Sequence, residues 1–474
     1  MMTHLSACTS ILVGKNASID GSVMIARNDD TFLPLTPQRF YIHDPKNEKG
    51  KILQSTQNGF HAPLLPDAVP YQATPNVEVN EKGLYEESGI NAHNVAMSAT
   101  ESVYGNPRAL AFDPLVADGM AEDTMQTMVL PVITSARNGV EVLGQLVKQY
   151  GSPEGNGVLF ADKDEAWYME IVTGHHWVAQ RIPDDAFVIT ANQVAIQEVV
   201  FDDPDNFMFS EGIQDFVSQH QLNPDHEGWN FRHIFGTSTE KDRHYNTPRV
   251  WYGQHYLMPD AISEPTSSEL PFICHADRKI SVADISFILG SHYNETDYDP
   301  LGNGPAELKT AFRPISMNRT QNSHVLQLRN HVPEAQSAIM WLCFGVPAFS
   351  PYVPFFANAN DTDPSYVNTP LHADSESAYW MYRKLSVLVE SRYAEFAQDD
   401  RDYLTATSEL MLSHVAQTDD VAAKLSGAEL TTYLTNQNYL IVSEMKKRTN
   451  QLMNDLFEKG LTLSKLTFNM DINL

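Results

Sequence analysis

Cys8 and Arg27 could cooperate in nucleophilic catalysis, and Asp30 follows three residues later. A cysteine attacks as its thiolate, a neighbouring guanidinium favours that form, and a carboxylate can hold an amine or orient a substrate. The alternative is that Cys8 is an ordinary small core residue. Its position at the start of the first predicted strand, after only seven residues, favours catalysis, because it suits an enzyme that uncovers its own N-terminal nucleophile.

A β-hairpin is the element that must position these side chains. Two β-prone runs, residues 9–13 and 23–26, flank an Asp-Gly turn signal at 20–21. If the connection is centred just after residue 17, antiparallel pairing places Cys8 directly opposite Arg27.

Four short runs at the start of the chain resemble the C69 dipeptidases. They are residues 7–9 (ACT), 11–15 (ILVGK), 18–21 (SIDG) and 25–30 (IARNDD). Those dipeptidases are similar to the wider group of N-terminal-nucleophile hydrolases, which includes penicillin V acylase and bile salt hydrolase. The resemblance implies a four-layer αββα sandwich of two antiparallel sheets, a short propeptide at residues 1–7, and a single catalytic domain over residues 8–474.

The resemblance also implies a role for each candidate residue. The catalytic set is Cys8, Arg27, Asp30, Asn192 and Arg249. Cys8 attacks the scissile carbonyl, and its freed α-amine, which titrates near about pH 8, acts as the general base. Arg27 lowers the pKa of the thiol. The family's Arg-x-x-Asp spacing favours Asp30 over Asp29 as the group that orients the amine or the substrate.

The oxyanion donors are less sharply indicated. Asn192 ends a β-prone run, and an amide stabilises developing charge without titrating, but spacing alone also allows Asn192 to cap the following turn. A second donor at residues 100–102 (TES) competes with a strand that simply runs into a surface loop. Arg249 follows a turn signal at 246–248 (NTP) and would support the cluster; elsewhere in this chain such an arginine would pair with a surface acid.

Hydrophobic periodicity predicts an α+β fold. The predicted elements are antiparallel strands at 157–162, 165–172 and 176–181, two buried strands of the second sheet at 323–329 and 338–345, helices within 122–150, and a mainly helical region at 374–474.

Composition limits the partners and the compartment. Acidic residues outnumber basic ones by 60 to 32, and the resulting net charge of −28 argues against a nucleic-acid or anionic-membrane partner. Three cysteines argue against a disulfide framework and predict a reducing, cytoplasmic location. Cys343 lies within an apolar run and is expected to be a core thiol. The chain starts without a secretory signal and has no apolar run long enough to span a membrane.

Motifs for other chemistries are missing. The sequence has no Gly-x-Ser-x-Gly, no His-Glu-x-x-His and no glycine-rich phosphate loop. The adjacent pairs at 175–176 (HH) and 274–275 (CH) would point to opposite sides of a strand, and the acidic run at 294–304 lacks EF-hand spacing. We therefore expect neither a cofactor nor a metal.

The sequence as a whole predicts a thiol peptidase that hydrolyses dipeptides through a thioester acyl-enzyme. The same apparatus would serve an amidase or acylase that acts on non-peptide amides, such as conjugated bile acids or penicillin V. A non-catalytic scaffold, in which Cys8 stays unprocessed, is the alternative from a different class. The expected partner is a dipeptide, and an assembly of identical subunits stays open.

Overall fold

The predicted hairpin is present, with a different register. The computed structural model describes residues 8–31, 33–261 and 263–464. The hairpin consists of β1 (Thr9–Val13) and β2 (Val23–Asp30). Arg27 lies opposite Ser10, so the predicted pairing of Arg27 with Cys8 is wrong.

The connection between these strands is held by its own turn, in which the N–H of Ala17 donates to the carbonyl of Gly14 at 2.9 Å, and also by the rest of the chain. The N–H of Ala17 donates to the carbonyl of Asp184 at 3.0 Å, and Ile280 exchanges backbone bonds with Ala17 and Ile19, each at 2.9 Å. This anchoring shifts the centre of the loop by one residue, which changes the pairing by two. Because side chains alternate along a strand, a shift of two leaves Cys8 and Arg27 on the same face.

The remaining strands follow in chain order. They are β3 (Tyr41–His43), β4 (Ile52–Gln54), β5 (His61–Pro63), β6 (Tyr71–Ala73), β7 (Ser88–Ile90), β8 (Ala96–Ser102), β9 (Asn156–Ala161), β10 (Ala166–Ile171), β11 (Trp177–Ile182), β12 (Phe187–Thr190), β13 (Phe207–Phe209), β14 (Thr320–Leu328), β15 (Ala338–Phe344) and β16 (Val353–Phe356).

The helices are numbered in the same way. They are α1 (Val79–Lys82), α2 (Pro107–Leu110), α3 (Glu122–Val129), α4 (Ala136–Tyr150), α5 (Ile213–Gln219), α6 (Phe231–Phe235), α7 (Thr247–Leu257), α8 (Val282–Leu289), α9 (Ala306–Lys309), α10 (Pro364–Val367), α11 (Ala378–Ser391), α12 (Tyr393–Ala422) and α13 (Gly427–Thr462). A π-helical turn, Asp242–Asn246, leads directly into α7.

Two six-stranded antiparallel sheets form the centre of the fold. The first has the order β12-β1-β2-β14-β15-β16, and the second has the order β13-β11-β10-β9-β8-β7. The predicted strands at 157–182 are confirmed as β9, β10 and β11. The expectation that 323–329 and 338–345 belong to the second sheet is wrong, because β14 pairs directly with β2 of the hairpin.

The two sheets face each other, and helices cover their outer faces. Strand β2 contacts β8, β9 and β10 of the second sheet. Helices α7, α8 and α11 pack on the first sheet, whereas α3 and α4 pack on the second. Helix α4 comes close because Gly139 and Gly144 lack side chains: a Cβ there would lie 2.4 and 2.3 Å from ring carbons of Phe160 and Trp177. The α+β prediction of two antiparallel sheets with helices is confirmed.

The C-terminal region packs against the far edge of the first sheet. Helices α11, α12 and α13 occupy most of residues 374–464, and α13 lies along β16. The amide of Asn438 accepts from the N–H of Phe356 at 2.9 Å and donates to its carbonyl at 3.2 Å, which satisfies an edge strand that could otherwise pair with another chain. The predicted propeptide at 1–7 and the last residues, 465–474, lie outside the described part of the chain.

Candidate active site

The thiol of Cys8 lies against the guanidinium of Arg27 between the two sheets. Nη1 of Arg27 is 3.1 Å from Sγ, and Cys8 is 3% exposed. The charge of Arg27 favours the thiolate, as the sequence predicts. In the chain that still carries residues 1–7, burial outweighs this effect of Arg27 and raises the pKa of the Cys8 thiol well above its usual value.

The other nitrogens of Arg27 bind the second sheet and the segment before it. Nη2 donates to the carboxylate of Glu87 and, at 2.9 Å, to the carbonyl of Ala99, while Nε donates to Oγ of Ser98 at 3.0 Å. Arg27 is fully buried. Burial works against its charge, but the negative groups around it, Glu87 first and then Cys8 and Asp29, together more than compensate, so the pKa of Arg27 is raised and the guanidinium stays charged. Each nitrogen of the guanidinium group therefore has at least one partner that fixes its orientation.

Ser98 in turn contacts a buried histidine. Nε2 of His324 is 2.8 Å from Oγ of Ser98, and Nδ1 is 3.0 Å from Oδ1 of Asn322. Burial and the charge of Arg27 lower the pKa of His324 well below its usual value, so the ring is neutral. The amide nitrogen of Asn322 donates to Gln38 at 2.7 Å, so its oxygen faces the ring and the proton is on Nδ1. Ser98 therefore donates to His324 and accepts from Arg27.

Asp29 and Asp30 leave β2 on opposite faces. Asp29 shares the face of Arg27, and its carboxylate accepts from Gln38 and from Asn322. Asp30 lies on the other face, where its side chain is fully buried and binds Arg313 and the hydroxyl of Thr320. Asp30, which the sequence predicts as a catalytic residue, is thus a buried charge at the end of β2. It lies on the face opposite to the one that carries the thiol.

Arg249 lies on the helix-facing side of the first sheet and joins three parts of the site. Its Nη1 donates to the carbonyl of Cys8 and, at 2.9 Å, to Oγ1 of Thr9. Its Nη2 donates to Oδ1 of Asn192 at 2.8 Å and to Oδ1 of Asn246 at 2.7 Å. Since Arg249 is fully buried, these bonds fix the start of β1 relative to α7.

The amide nitrogen of Asn192 is a buried hydrogen-bond donor that has no acceptor among the described residues. Because Oδ1 of Asn192 accepts from Arg249, its Nδ2 must point the other way, and within the described residues Nδ2 has no hydrogen-bond partner. A buried unsatisfied donor costs about 1–3 kcal/mol, so it is normally avoided. A donor kept free in this way can instead bind negative charge that develops during a reaction. The side chains of Thr100 and Glu101, the other predicted donor region, lie outside the description.

Neither a metal centre nor a membrane span is found in the part of the chain that the structure covers. No group of three or more His, Cys, Asp or Glu side chains there could hold a metal ion. No helix among those residues is long and apolar enough to cross a bilayer.

Comparison with known proteins decides the family. A model described as peptidase family C69 matches residues 7–406. The chain belongs to peptidase family C69.

Relatives of this C69 peptidase cover nearly its full length. A "Probable dipeptidase" from Latilactobacillus sakei is 54% identical over 471 residues, which is 99% of each chain. "Probable dipeptidase B" from Lactococcus lactis subsp. lactis is 42% identical and "Dipeptidase A" from Lactobacillus helveticus is 38% identical, each over 98% of both chains. The resemblance stated from the N-terminal motifs is confirmed.

A solved structure shows only a weak likeness to this C69 peptidase. A variant of conjugated bile acid hydrolase from Clostridium perfringens covers 76% of this chain and 94% of its own, with 9% identity and a TM-score of 0.25. At that score the likeness supports no statement about function.

The structure brings together most of the residues that sequence reasoning selected in this C69 peptidase. Arg27 and Arg249 both contact Cys8, and Arg249 also binds Asn192, whereas Asp30 binds Arg313 instead of any of these. Sequence reasoning missed Glu87, Ser98 and His324. A histidine within the predicted buried strand at 323–329 was the one usable signal, and it would have pointed to His324.

Proposed function

We propose that this protein is a dipeptidase whose nucleophile is the thiol of Cys8, exposed at a new N-terminus after residues 1–7 are removed. The observation that carries the mechanism is the contact of 3.1 Å between Arg27 Nη1 and Cys8 Sγ. Cys8 directly precedes β1, and Arg249 binds its carbonyl. The names of the relatives support the substrate class, since several related proteins are called dipeptidases.

The reaction begins with a proton transfer. The freed α-amine of Cys8 titrates near about pH 8 and accepts the thiol proton. Burial opposes a free-standing thiolate, so the charge is best formed as sulfur attacks, next to the guanidinium of Arg27. The new C–S bond converts the scissile carbonyl into a tetrahedral oxyanion.

Asn192 is the side-chain donor suited to that oxyanion. Its Nδ2 is buried without a partner among the described residues, and Arg249 holds the amide in the required orientation. Collapse of the intermediate breaks the C–N bond, and the leaving amine takes the proton from the α-ammonium. Water, deprotonated by the same amine, then attacks the thioester, breaks the C–S bond and restores the thiol.

Asp30 and Arg313 stabilise the end of β2, which lies beside the start of β1, where the amine of Cys8 is formed. A buried ion pair loses much of its value if either partner moves, so both charges stay in place during turnover. We propose that Asp30 orients the freed ammonium electrostatically.

The cytoplasm is the compartment that suits this chemistry. Cys8, Cys274 and Cys343 are all free thiols. A nucleophilic thiol survives best where glutathione and thioredoxin keep cysteines reduced.

Intact mass and N-terminal sequencing, run with a panel of dipeptides and acyl-amides, test the proposal. We expect active enzyme to begin at Cys8 and to hydrolyse dipeptides faster than conjugated bile acids or penicillin V. Active enzyme that begins at Met1, Met2 or Thr3 would refute the amine-base mechanism. Preferential turnover of the non-peptide amides would replace the dipeptidase assignment with an acylase.

A further inference from the structure

Basic side chains cluster around the ring of Tyr245, although the whole chain carries a net charge of −28. The guanidinium carbons of Arg249 and Arg313 lie 5.2 and 5.5 Å from the ring centroid. Nη2 of Arg319 is 3.5 Å from the Tyr245 hydroxyl. Nζ of Lys241 lies 5.5 Å from the same ring. Such a local excess of positive charge in an acidic protein requires an explanation.

The protein neutralises this positive charge incompletely. Arg313 pairs with Asp30. Across residues 8–31, 33–261 and 263–464, neither Lys241 nor Arg319 forms an ion pair. Arg319 donates to the carbonyl of Thr31 at 3.2 Å and to the Tyr245 hydroxyl, both uncharged.

The pKa of Tyr245 indicates the same positive electrostatic potential. Burial alone would raise its pKa, but the charges of Arg313, Arg249 and Arg319 outweigh burial, and the pKa of Tyr245 is lowered. The environment of its hydroxyl therefore favours an anion. Lys241 is exposed, and Tyr245 and Arg319 are half-buried, so a solute can reach the cluster.

The cluster is one side chain away from the nucleophile. Arg249 contacts the Tyr245 ring on one side and binds the carbonyl of Cys8 on the other. The carbonyl of Tyr245 accepts from Nε of Arg249 at 2.8 Å, which ties the two residues together. Tyr245 is presented by the π-helical turn Asp242–Asn246, and such turns are frequent at functional sites.

We propose that Lys241, Arg319 and the Tyr245 hydroxyl form a subsite that binds the C-terminal carboxylate of the dipeptide substrate. This inference rests on the proposed dipeptidase activity and names the group that the enzyme recognises. The scissile carbonyl and the terminal carboxylate of a dipeptide are separated by a single residue, about 3.5 Å of extended chain. A carboxylate held beside Arg249 would therefore present the last peptide bond to the thiol of Cys8.

Steady-state kinetics on a dipeptide and on its C-terminal amide test the subsite. We expect the processed wild-type enzyme to prefer the free acid by about tenfold to a hundredfold in kcat/KM, because charge-assisted hydrogen bonds are lost with the amide. Lys241→Gln and Arg319→Gln should each reduce that preference about tenfold, mainly through a higher KM for the free acid. The double variant should abolish the preference.

Arg243→Gln is the matched control. Arg243 lies on the same turn, is about half exposed and pairs with Glu240 at 3.6 Å, so its removal should keep the preference for the free acid. A wild-type enzyme that cleaves both substrates equally, or a double variant that retains the preference, would overturn the subsite but leave the dipeptidase activity intact. Turnover that survives Cys8→Ser would instead overturn the proposed mechanism, and the subsite with it.

Discussion

Arg27 and Glu87 form an ion pair that is closed to solvent, with side chains that are 0% and 4% exposed. The guanidinium of Arg27 has two partners here, because it contacts the thiol of Cys8 as well as the carboxylate of Glu87. Glu87 reaches Arg27 from a backbone conformation with φ of +60°, which is unfavourable for a residue with a side chain. Strain of this kind is retained where the surrounding structure requires it, as beside a nucleophile.

Glu87→Gln should make the protein less stable and the thiol more acidic. Arg27 would be left without its carboxylate, and breaking a buried ion pair costs about 3–5 kcal/mol, which urea unfolding measures. The charge of Glu87 raises the pKa of Cys8, so its removal should move the pH profile of Cys8 alkylation by iodoacetamide to lower pH. The exposed Glu81→Gln is the control. An unchanged profile would mean that Glu87 does not influence the thiol.

Cys8→Ser should abolish dipeptide hydrolysis while the protein still folds. A hydroxyl near neutral pH is a far weaker nucleophile, and we expect kcat to fall by about three orders of magnitude or more. Iodoacetamide should inactivate the wild-type enzyme by labelling Cys8, which peptide mass mapping detects. Cys274→Ala should stay active and sensitive. Inactivation with label on Cys343 alone would place the active site elsewhere.

Asn192→Asp should separate the two functions of the amide. The carboxylate can still accept from Arg249, but it cannot donate to an oxyanion and repels it. We expect kcat to fall about 100- to 1,000-fold, the usual effect of losing one oxyanion donor, with a smaller change in KM. Near wild-type kcat in this variant would exclude Asn192 as the donor.

Ser98→Ala should weaken the hold of Arg27 on the thiol. Nε of Arg27 loses its acceptor, and a buried unsatisfied donor costs about 1–3 kcal/mol. A less constrained guanidinium stabilises the thiolate less, so alkylation of Cys8 should shift to higher pH, opposite to the Glu87→Gln shift. Ser98→Thr keeps the hydroxyl and should restore the profile. A loss of stability without any shift would assign Ser98 a purely structural role.

Asp400 should make the stability of the protein depend on pH. It is buried in α12, its Oδ1 has no partner among the described residues, and burial raises its pKa to about 8 despite the nearby Arg401. A carboxyl whose pKa is higher in the folded than in the unfolded state binds its proton more tightly when folded. Its stabilising effect is therefore complete below about pH 4, the unfolded value, and is lost as the pH rises towards 8.

Urea unfolding at pH 5 and pH 8 measures this effect as a difference between proteins. Asp400→Asn should reduce the loss of stability between the two pH values. Asp399→Asn, at a half-buried position that pairs with Lys459 at 2.6 Å, should behave like the wild type. Parallel pH dependence in all three proteins would show that Asp400 titrates normally.

The sequence by itself determined the local parts of this protein. Strands β9, β10 and β11 follow from alternating residues and short turns, which act over a few positions. The shared face of Cys8 and Arg27 was likewise predictable, even though the register was not. A slip of two residues preserves the side-chain face, because the period of a strand is two.

The tertiary structure decided which residues meet and what their protonation costs. Arg27 reaches Ser98 across 71 positions, Ser98 reaches His324 across 226, and Arg249 reaches Cys8 across 241. No local propensity specifies such pairs, since they form only when two sheets pack face to face and a helix layer covers one of them. Burial is a property of that packing too. It overrides the charge of Arg27 at the thiol of Cys8, because removing a thiolate from water costs more than one guanidinium returns.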